Sequence, residues 1–168
     1  EDDPLFAEAV RATAAAPAFF SPGKIGKRRC FIDGGIVANN PALCAYAEAR
    51  RRHPNETAFL VVSLGTGLYA QSHECRTIRR WGALQWAIPI FTVLSNSAAA
   101  TVDYQMKALV GAEQYARFDV RIDRACAGLD DASPANIERL RTLAAREIAR
   151  DGAKLDRVCR GLLEHARA

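Results

Sequence analysis

An α/β sandwich, with helices packed against a sheet, is the fold this sequence predicts, and three observations predict it. Thr57 to Leu64 is a continuous apolar run rich in β-branched residues, the pattern of a strand buried on both faces. Asn40-Pro41 and Ser133-Pro134 each place a capping residue before a proline, the sequence signature of a helix start. Strand-like and helix-like segments then alternate along the chain, as layered α/β folds require.

The elements follow in order. Asp3-Pro4 reads as a helix start, and the alanine-rich segment Leu5 to Ala16 as a helix that Pro17 ends. Phe19-Phe20 reads as a short extended piece, and Pro22 to Arg29 as a basic, glycine-containing turn. Cys30-Phe31-Ile32 is expected to be a short buried strand stopping at Asp33-Gly34-Gly35, with Ile36-Val37 continuing it briefly. Ala42 to Arg52 is the next helix, and its closing arginines at 50 to 52 favour the negative end of the helix dipole. The strand at Thr57 to Leu64 stops at Gly65-Thr66-Gly67, and residues 68 to 84 read as a polar surface loop. Gln85 to Val110 is mostly helical with a break or kink at Pro89, and Val102, Met106 and Leu109 fall at helical spacing. Tyr115 to Ile122 alternates as a strand does. From Ser133-Pro134, Ile137, Leu140, Ala144 and Ile148 line one helix face; Gly152 breaks that helix, and Leu155, Val158, Cys159 and Leu162 mark a last one.

Bulk composition narrows the functional classes. With 168 residues, 49% apolar and 25% charged, the chain is an ordinary globular domain rather than a disordered one. A net charge of +4 is too small and too dispersed to predict nucleic-acid binding. The five cysteines form no close pair and the three histidines no metal-binding spacing, so neither a disulfide framework nor a zinc site is expected, and a reducing compartment is. No apolar run reaches the roughly 18 residues of a membrane span. The expected location is the cytoplasm or the periphery of a membrane. The chain starts at Glu1 without a methionine and reads as cut from something longer, so a signal peptide is not readable from it.

Four segments stand in a fixed order between Arg11 and Gly67: Arg-Ala-Thr-Ala-Ala-Ala-Pro at 11 to 17, Asp-Gly-Gly at 33 to 35, Asn-Asn-Pro-Ala at 39 to 42, and Ser-Leu-Gly-Thr-Gly at 63 to 67. Together they resemble the patatin-like phospholipase family. The later segment Leu-Asp-Asp-Ala-Ser at 129 to 133, followed by Asn136-Ile137 and Leu140, is similar to bacterial members. The resemblance implies the carboxy-terminal part of a patatin-like three-layer α/β fold over residues 1–128, with residues 129–168 as a helical extension packed on it.

The resemblance also implies a chemistry. A serine in a Gly-x-Ser-x-Gly turn attacks a lipid ester carbonyl, an aspartate takes the serine proton and later activates water, and a glycine-rich loop stabilises the oxyanion. The family's aspartate falls on Asp33, with Gly34 and Gly35 as its motif glycines. No Gly-x-Ser-x-Gly and no glycine-rich oxyanion loop occurs in the chain, and the resemblance puts both ahead of Glu1. It therefore implies a lipid acyl hydrolase as an intact protein, inactive as this fragment, with no metal or organic cofactor. The implied partners are a phospholipid or other lipid ester and a transient membrane surface, without nucleic acid.

The chemistry constrains Asp33. A free Asp titrates near about 3.9 and is a poor base in water, so it must be held close to the serine and partly shielded. The end of a strand, where α/β sheets tend to place ligands, suits that task. Gly34 and Gly35 remove side chains from the serine's approach and permit unusual backbone angles.

Other residues have plainer explanations. Asn39 and Asn40 are at hand to contact the site, but capping by Asn40 accounts for them. Ser63 with Gly65-Thr66-Gly67 is a tight strand exit more readily than a phosphate cradle. His73 is expected to be a solvated loop residue, and Ser95 and Ser97 lie in a helical stretch without an elbow motif. Trp81, Trp86, Ile88, Ile90 and Phe91 read as core, with lipid contact as the other reading. Lys24, Lys27, Arg28 and Arg29 form the densest basic cluster, a solvated loop or, in a lipid hydrolase, a membrane contact. Two further functions stay open: a non-catalytic patatin-like module that binds lipid or protein, and a nucleotide-binding module built on the Gly65 turn.

Overall fold

A computed structural model describes residues 3–26, 29–69, 73–87 and 89–165. The first helix, α1 (Phe6–Thr13), starts later than Asp3-Pro4 suggests: Leu5 is its N-cap, and Glu8 Oε2 accepts from the Leu5 N–H at 3.1 Å. After Pro17 the chain turns rather than extends, with Ala18 at φ +72° and the Phe19 and Phe20 amides both donating to the Ala16 carbonyl. The glycine-containing basic turn contributes a hairpin. Its first strand, β1 (Gly23–Ile25), pairs antiparallel with β2 (Arg29–Phe31), Gly23 opposite Phe31. The ideal Cβ of a residue larger than glycine at 23 lies 2.5 Å from Ala12 Cα, so this glycine lets the hairpin close on α1 over the buried Ala12 and Ala15.

Two expectations fail around the Asp-Gly-Gly element. The strand at Cys30-Phe31-Ile32 is exposed, not buried, because β2 has β1 as its only strand partner among the described residues. Ile36-Val37 does not extend it; Gly35–Ala38 is a single helical turn, α2. The helix α3 (Ala42–Arg52) has the predicted bounds.

The predicted strand at 57 to 64 shortens to β3 (Val61–Leu64), which pairs parallel with β4 (Tyr115–Phe118). It is not buried on both faces: Leu64 is 76% exposed, since β4 covers one edge and no helix covers that side chain. The ladder extends through a bridge from Leu68 to Arg121. Inside the expected surface loop lies a short helix, α4 (Cys75–Ile78), followed by α5 (Ala83–Trp86). The break expected at Pro89 separates α5 from the long helix α6 (Pro89–Gln114), which the proline opens, and a second break comes at Gly111, φ +77°, a left-handed angle that favours glycine.

The main core lies where α3 and α6 cover the β3–β4 pair. Fully buried Met106 packs with Ala42 and Tyr115, and Tyr46, Val61 and Val102 close around them. Leu109, at the same helical spacing, faces outward instead. Ser133 caps α7 (Pro134–Arg150) by accepting from the Asn136 N–H at 3.3 Å. Of its expected apolar face, Ile137 and Ile148 are exposed and Leu140 is half-buried. The last helix, α8 (Gly152–His165), sends Val158 inward and comes close to Leu60 at Gly161. Among the described residues the strands form two two-stranded sheets, one antiparallel and one parallel.

Candidate active site

Asp33 stands two residues beyond β2, in a loop clamped by the end of α1. Its backbone N–H donates to the Ala15 carbonyl at 3.0 Å, and the Gly34 N–H donates to the Thr13 carbonyl at 3.1 Å. The Arg11 to Pro17 segment thus serves the aspartate directly, because its helix leaves terminal carbonyls free to accept. The carboxylate is turned back on its own loop, with Oδ1 accepting from the Gly35 N–H at 2.5 Å. Asp33 is half-buried, and among the described residues Oδ2 has no hydrogen-bond partner. One oxygen is fixed and the other is free to meet an incoming proton donor.

The two motif glycines act through space rather than through unusual angles. Gly34 has helical φ and ψ of −65° and −22°, and Gly35 begins α2. A Cβ at Gly34 lies 2.8 Å from Thr13 Oγ1, and one at Gly35 lies 2.8 Å from Asp33 Oδ1. Their role is clearance: side chains at these positions push on the clamp or on the carboxylate itself.

Downstream, Asn39 and Asn40 do different work. Asn39 Nδ2 donates to the Ser95 carbonyl at 3.2 Å and ties α2 to α6. Asn40 is buried; its Oδ1 accepts from the Ala42 N–H at 3.2 Å, in line with the capping expectation, although Pro41 holds the N-cap position. The same oxygen accepts from the Ser63 hydroxyl at 3.0 Å. Arg117 Nη1 in turn donates to Ser63 Oγ at 2.8 Å, and Arg117 Nη2 pairs with Asp119 Oδ2 at 2.5 Å. Arg117 and Asp119 are only 12% and 10% exposed, so this ion pair is well shielded.

The Gly65-Thr66-Gly67 turn cradles an anion, and that anion belongs to the protein. Asp119 Oδ1 accepts from the Gly67 N–H at 3.2 Å, and a Cβ at Gly65 lies 2.2 Å from the Asp119 carboxylate. Gly67 adopts φ +108°, which favours glycine. The strand-exit reading of Ser63 and this turn therefore stands, and the space a phosphate needs is taken. Sequence reasoning did not single out Arg117 or Asp119; their alternate positions along a strand put both on one face, but nothing in the sequence aligns that face with residue 63.

The remaining candidates are scattered. Lys24 and Arg29 are exposed on β1 and β2, while Lys27 and Arg28 lie outside the described residues. Arg51 and Arg52 pair with Glu48 within α3. His73 is half-buried against Trp81, with ring centroids 4.6 Å apart, so it is not simply solvated. Trp81 and Trp86 are half-buried in edge-on contact, but Ile90 and Phe91 are exposed rather than core, and Ile88 lies outside the described residues. Among the described residues no group of three or more His, Cys, Asp or Glu is placed to hold a metal ion, and no helix is long and apolar enough to cross a membrane.

Residues 1–46, which include α1, the hairpin and Asp33, match the family of patatin-like phospholipases. The chain belongs to the patatin-like phospholipase family. Patatin-like protein 6 of Arabidopsis thaliana is 32% identical over 154 residues, covering 79% of this chain and 30% of that protein. Patatin-like protein 2 of Oryza sativa subsp. indica is 28% identical over 170 residues, covering 81% of this chain and 42% of the relative. A potato protein named probable inactive patatin-3-Kuras 1 is 28% identical over 152 residues, covering 74% and 41%. The chain thus spans less than half the length of these patatin-like relatives. All three are plant proteins and do not bear on the bacterial resemblance of the tail.

Proposed function

We propose that the intact protein hydrolyses acyl esters of phospholipids or related lipids, with Asp33 as the base of a Ser–Asp dyad whose serine is supplied from outside these 168 residues. The observation that carries this reading is the state of the Asp33 carboxylate: clamped from α1, one oxygen bound by Gly35 N–H and the other unclaimed. A base in this position needs no histidine. Its free oxygen accepts the proton of a serine hydroxyl as the serine oxygen attacks the ester carbonyl, and Asp33 then passes that proton to the departing alcohol oxygen, leaving an acyl-enzyme. Asp33, ionised again, takes a proton from the water that attacks the acyl-enzyme and returns it to the serine oxygen as the fatty acid leaves. Exposed Ile32, Ile36 and Val37 surround the loop with apolar surface suited to an acyl chain. On this reading residues 1–128 belong to a three-layer hydrolase domain and residues 129–168 extend it.

Asp33→Asn in the intact protein tests the role. It keeps the size and the Gly35 contact but removes the base, so turnover of an activated ester should fall about 100-fold or more with folding unchanged. Retained turnover sinks the assignment. A second reading, a non-catalytic lipid- or protein-binding member, is favoured by the similarity to a relative named as probably inactive. An intact protein that binds lipid but forms no adduct with a serine-directed phosphonate supports that second reading.

A further inference from the structure

The stretch from Glu74 to Val102 contains three arginines, no lysine and a single acidic residue, the exposed Glu74 at its start, in a chain where a quarter of residues are charged. Those arginines, Arg76, Arg79 and Arg80, are all exposed and gathered on and just after α4. Immediately beyond them Trp81 and Trp86 meet edge-on, centroids 5.0 Å apart, and brace the turn that carries Leu84. Leu84 is 89% exposed, and Phe91 and Leu94 on the first turns of α6 are exposed as well. A water-facing surface does not gain from displaying leucine and phenylalanine beside a tryptophan pair and a cluster of three arginines with one acidic neighbour, Glu74.

This apolar surface is fixed in place rather than frayed. Asn96 Nδ2 donates to the Tyr69 carbonyl at 2.8 Å, and the Asn39–Ser95 bond joins α6 to α2. The helix α2 carries Val37, 88% exposed, two residues beyond the Asp33-Gly34-Gly35 element.

We propose that residues 75–87 and 89–94 form the face that docks onto an anionic lipid surface, with Arg76, Arg79 and Arg80 at the headgroups and Leu84, Phe91 and Leu94 entering the interface. The net positive charge of three arginines against Glu74 complements anionic lipid, and exposed aliphatic and aromatic side chains beside arginines are what an interfacial element presents. The choice of lipid over an acidic protein surface rests on the hydrolase reading.

Flotation of the intact protein with phosphatidylcholine vesicles, with and without phosphatidylglycerol, tests this separately from catalysis, which is read on a soluble short-chain ester. The native protein should prefer the phosphatidylglycerol vesicles and release from them as salt rises. Reversal of all three arginines to Glu should lower that partitioning about 100-fold or more, and Leu84→Ser about tenfold, with soluble-ester turnover unchanged for both. Native-like partitioning by both variants overturns the proposal. So does misfolding of both variants, or their loss of soluble-ester turnover, either of which marks the face as an internal surface. Vesicle binding that responds to these variants, in a protein without ester turnover, sinks the hydrolase reading alone.

Discussion

The Ser63 hydroxyl donates to Asn40 Oδ1 at 3.0 Å, joining the residue that enters α3 to the third residue of β3. Asn40 also donates from Nδ2 to the Ala99 carbonyl at 3.4 Å, so one 1%-exposed side chain links α3, β3 and α6 just downstream of the Asp33 loop. Removing it strands several buried partners at once. Asn40→Ala should therefore cost about 3 kcal/mol. Ser63→Ala should cost only about 1 kcal/mol, since Arg117 keeps Asp119 and Asn40 keeps the Ala42 N–H. Urea midpoints check the order, and equal losses refute it.

The Gly65 turn makes a sharper prediction. A methyl at residue 65 collides with the Asp119 carboxylate and drives it off Arg117, leaving a shielded guanidinium without its partner. Gly65→Ala should destabilise by about 3 kcal/mol. A loss below about 0.5 kcal/mol in denaturant unfolding shows that the ion pair is not held by this turn.

Gly35→Ala probes the site rather than the fold. The added methyl presses on Asp33 Oδ1 and turns the carboxylate away from its Gly35 contact. In the intact protein kcat should fall on the order of 10- to 100-fold, while KM and the unfolding midpoint hardly move. A wild-type kcat shows that the carboxylate orientation is not used.

Acid should loosen the helices first. Lys154, donating to Asp151 at 2.5 Å, holds that carboxyl below its ordinary range, and hydrogen bonds from Ser133 do the same for Asp131 ahead of α7. Arg51 and Arg52 bring Glu48 down to about 2. Each pKa is lower folded than unfolded, so the stabilisation is present above about pH 4 and disappears as pH falls towards the folded values. Far-UV circular dichroism should show helix loss beginning below about pH 4, and Asp151→Asn should make that loss shallower. An unchanged profile in Asp151→Asn removes Lys154–Asp151 as a contributor.

Where a local rule carries the information, the sequence was a good guide. The helix at Ala42–Arg52 and the Ser133 cap follow from proline and capping chemistry within a few residues, and both stand as expected. Pro89 illustrates the limit: a proline that breaks one helix also starts the next, and the sequence does not say which side the turn joins. Burial was legible only in part. An apolar run such as Cys30-Phe31-Ile32 signals an affinity for cover, but the cover depends on which elements lie alongside. At the candidate site, the motif singles out Asp33, Gly34 and Gly35, but not the clearance that the two glycines provide.

The sequence by itself determined where the longer helices start and which motif marks Asp33 as the candidate base, because caps, prolines and motifs act over a few neighbouring residues. Only the tertiary structure decided that Thr13 and Ala15 clamp the Asp33 loop, that Asp119 fills the Gly65 turn, and that Asn40, Ser63 and Arg117 form one chain of hydrogen bonds. Those partners stand from about twenty to more than fifty residues apart in sequence. A hydrogen bond is sensitive to tenths of an ångström and to angle, so such pairings exist only once the packing of helix on sheet has set the distances.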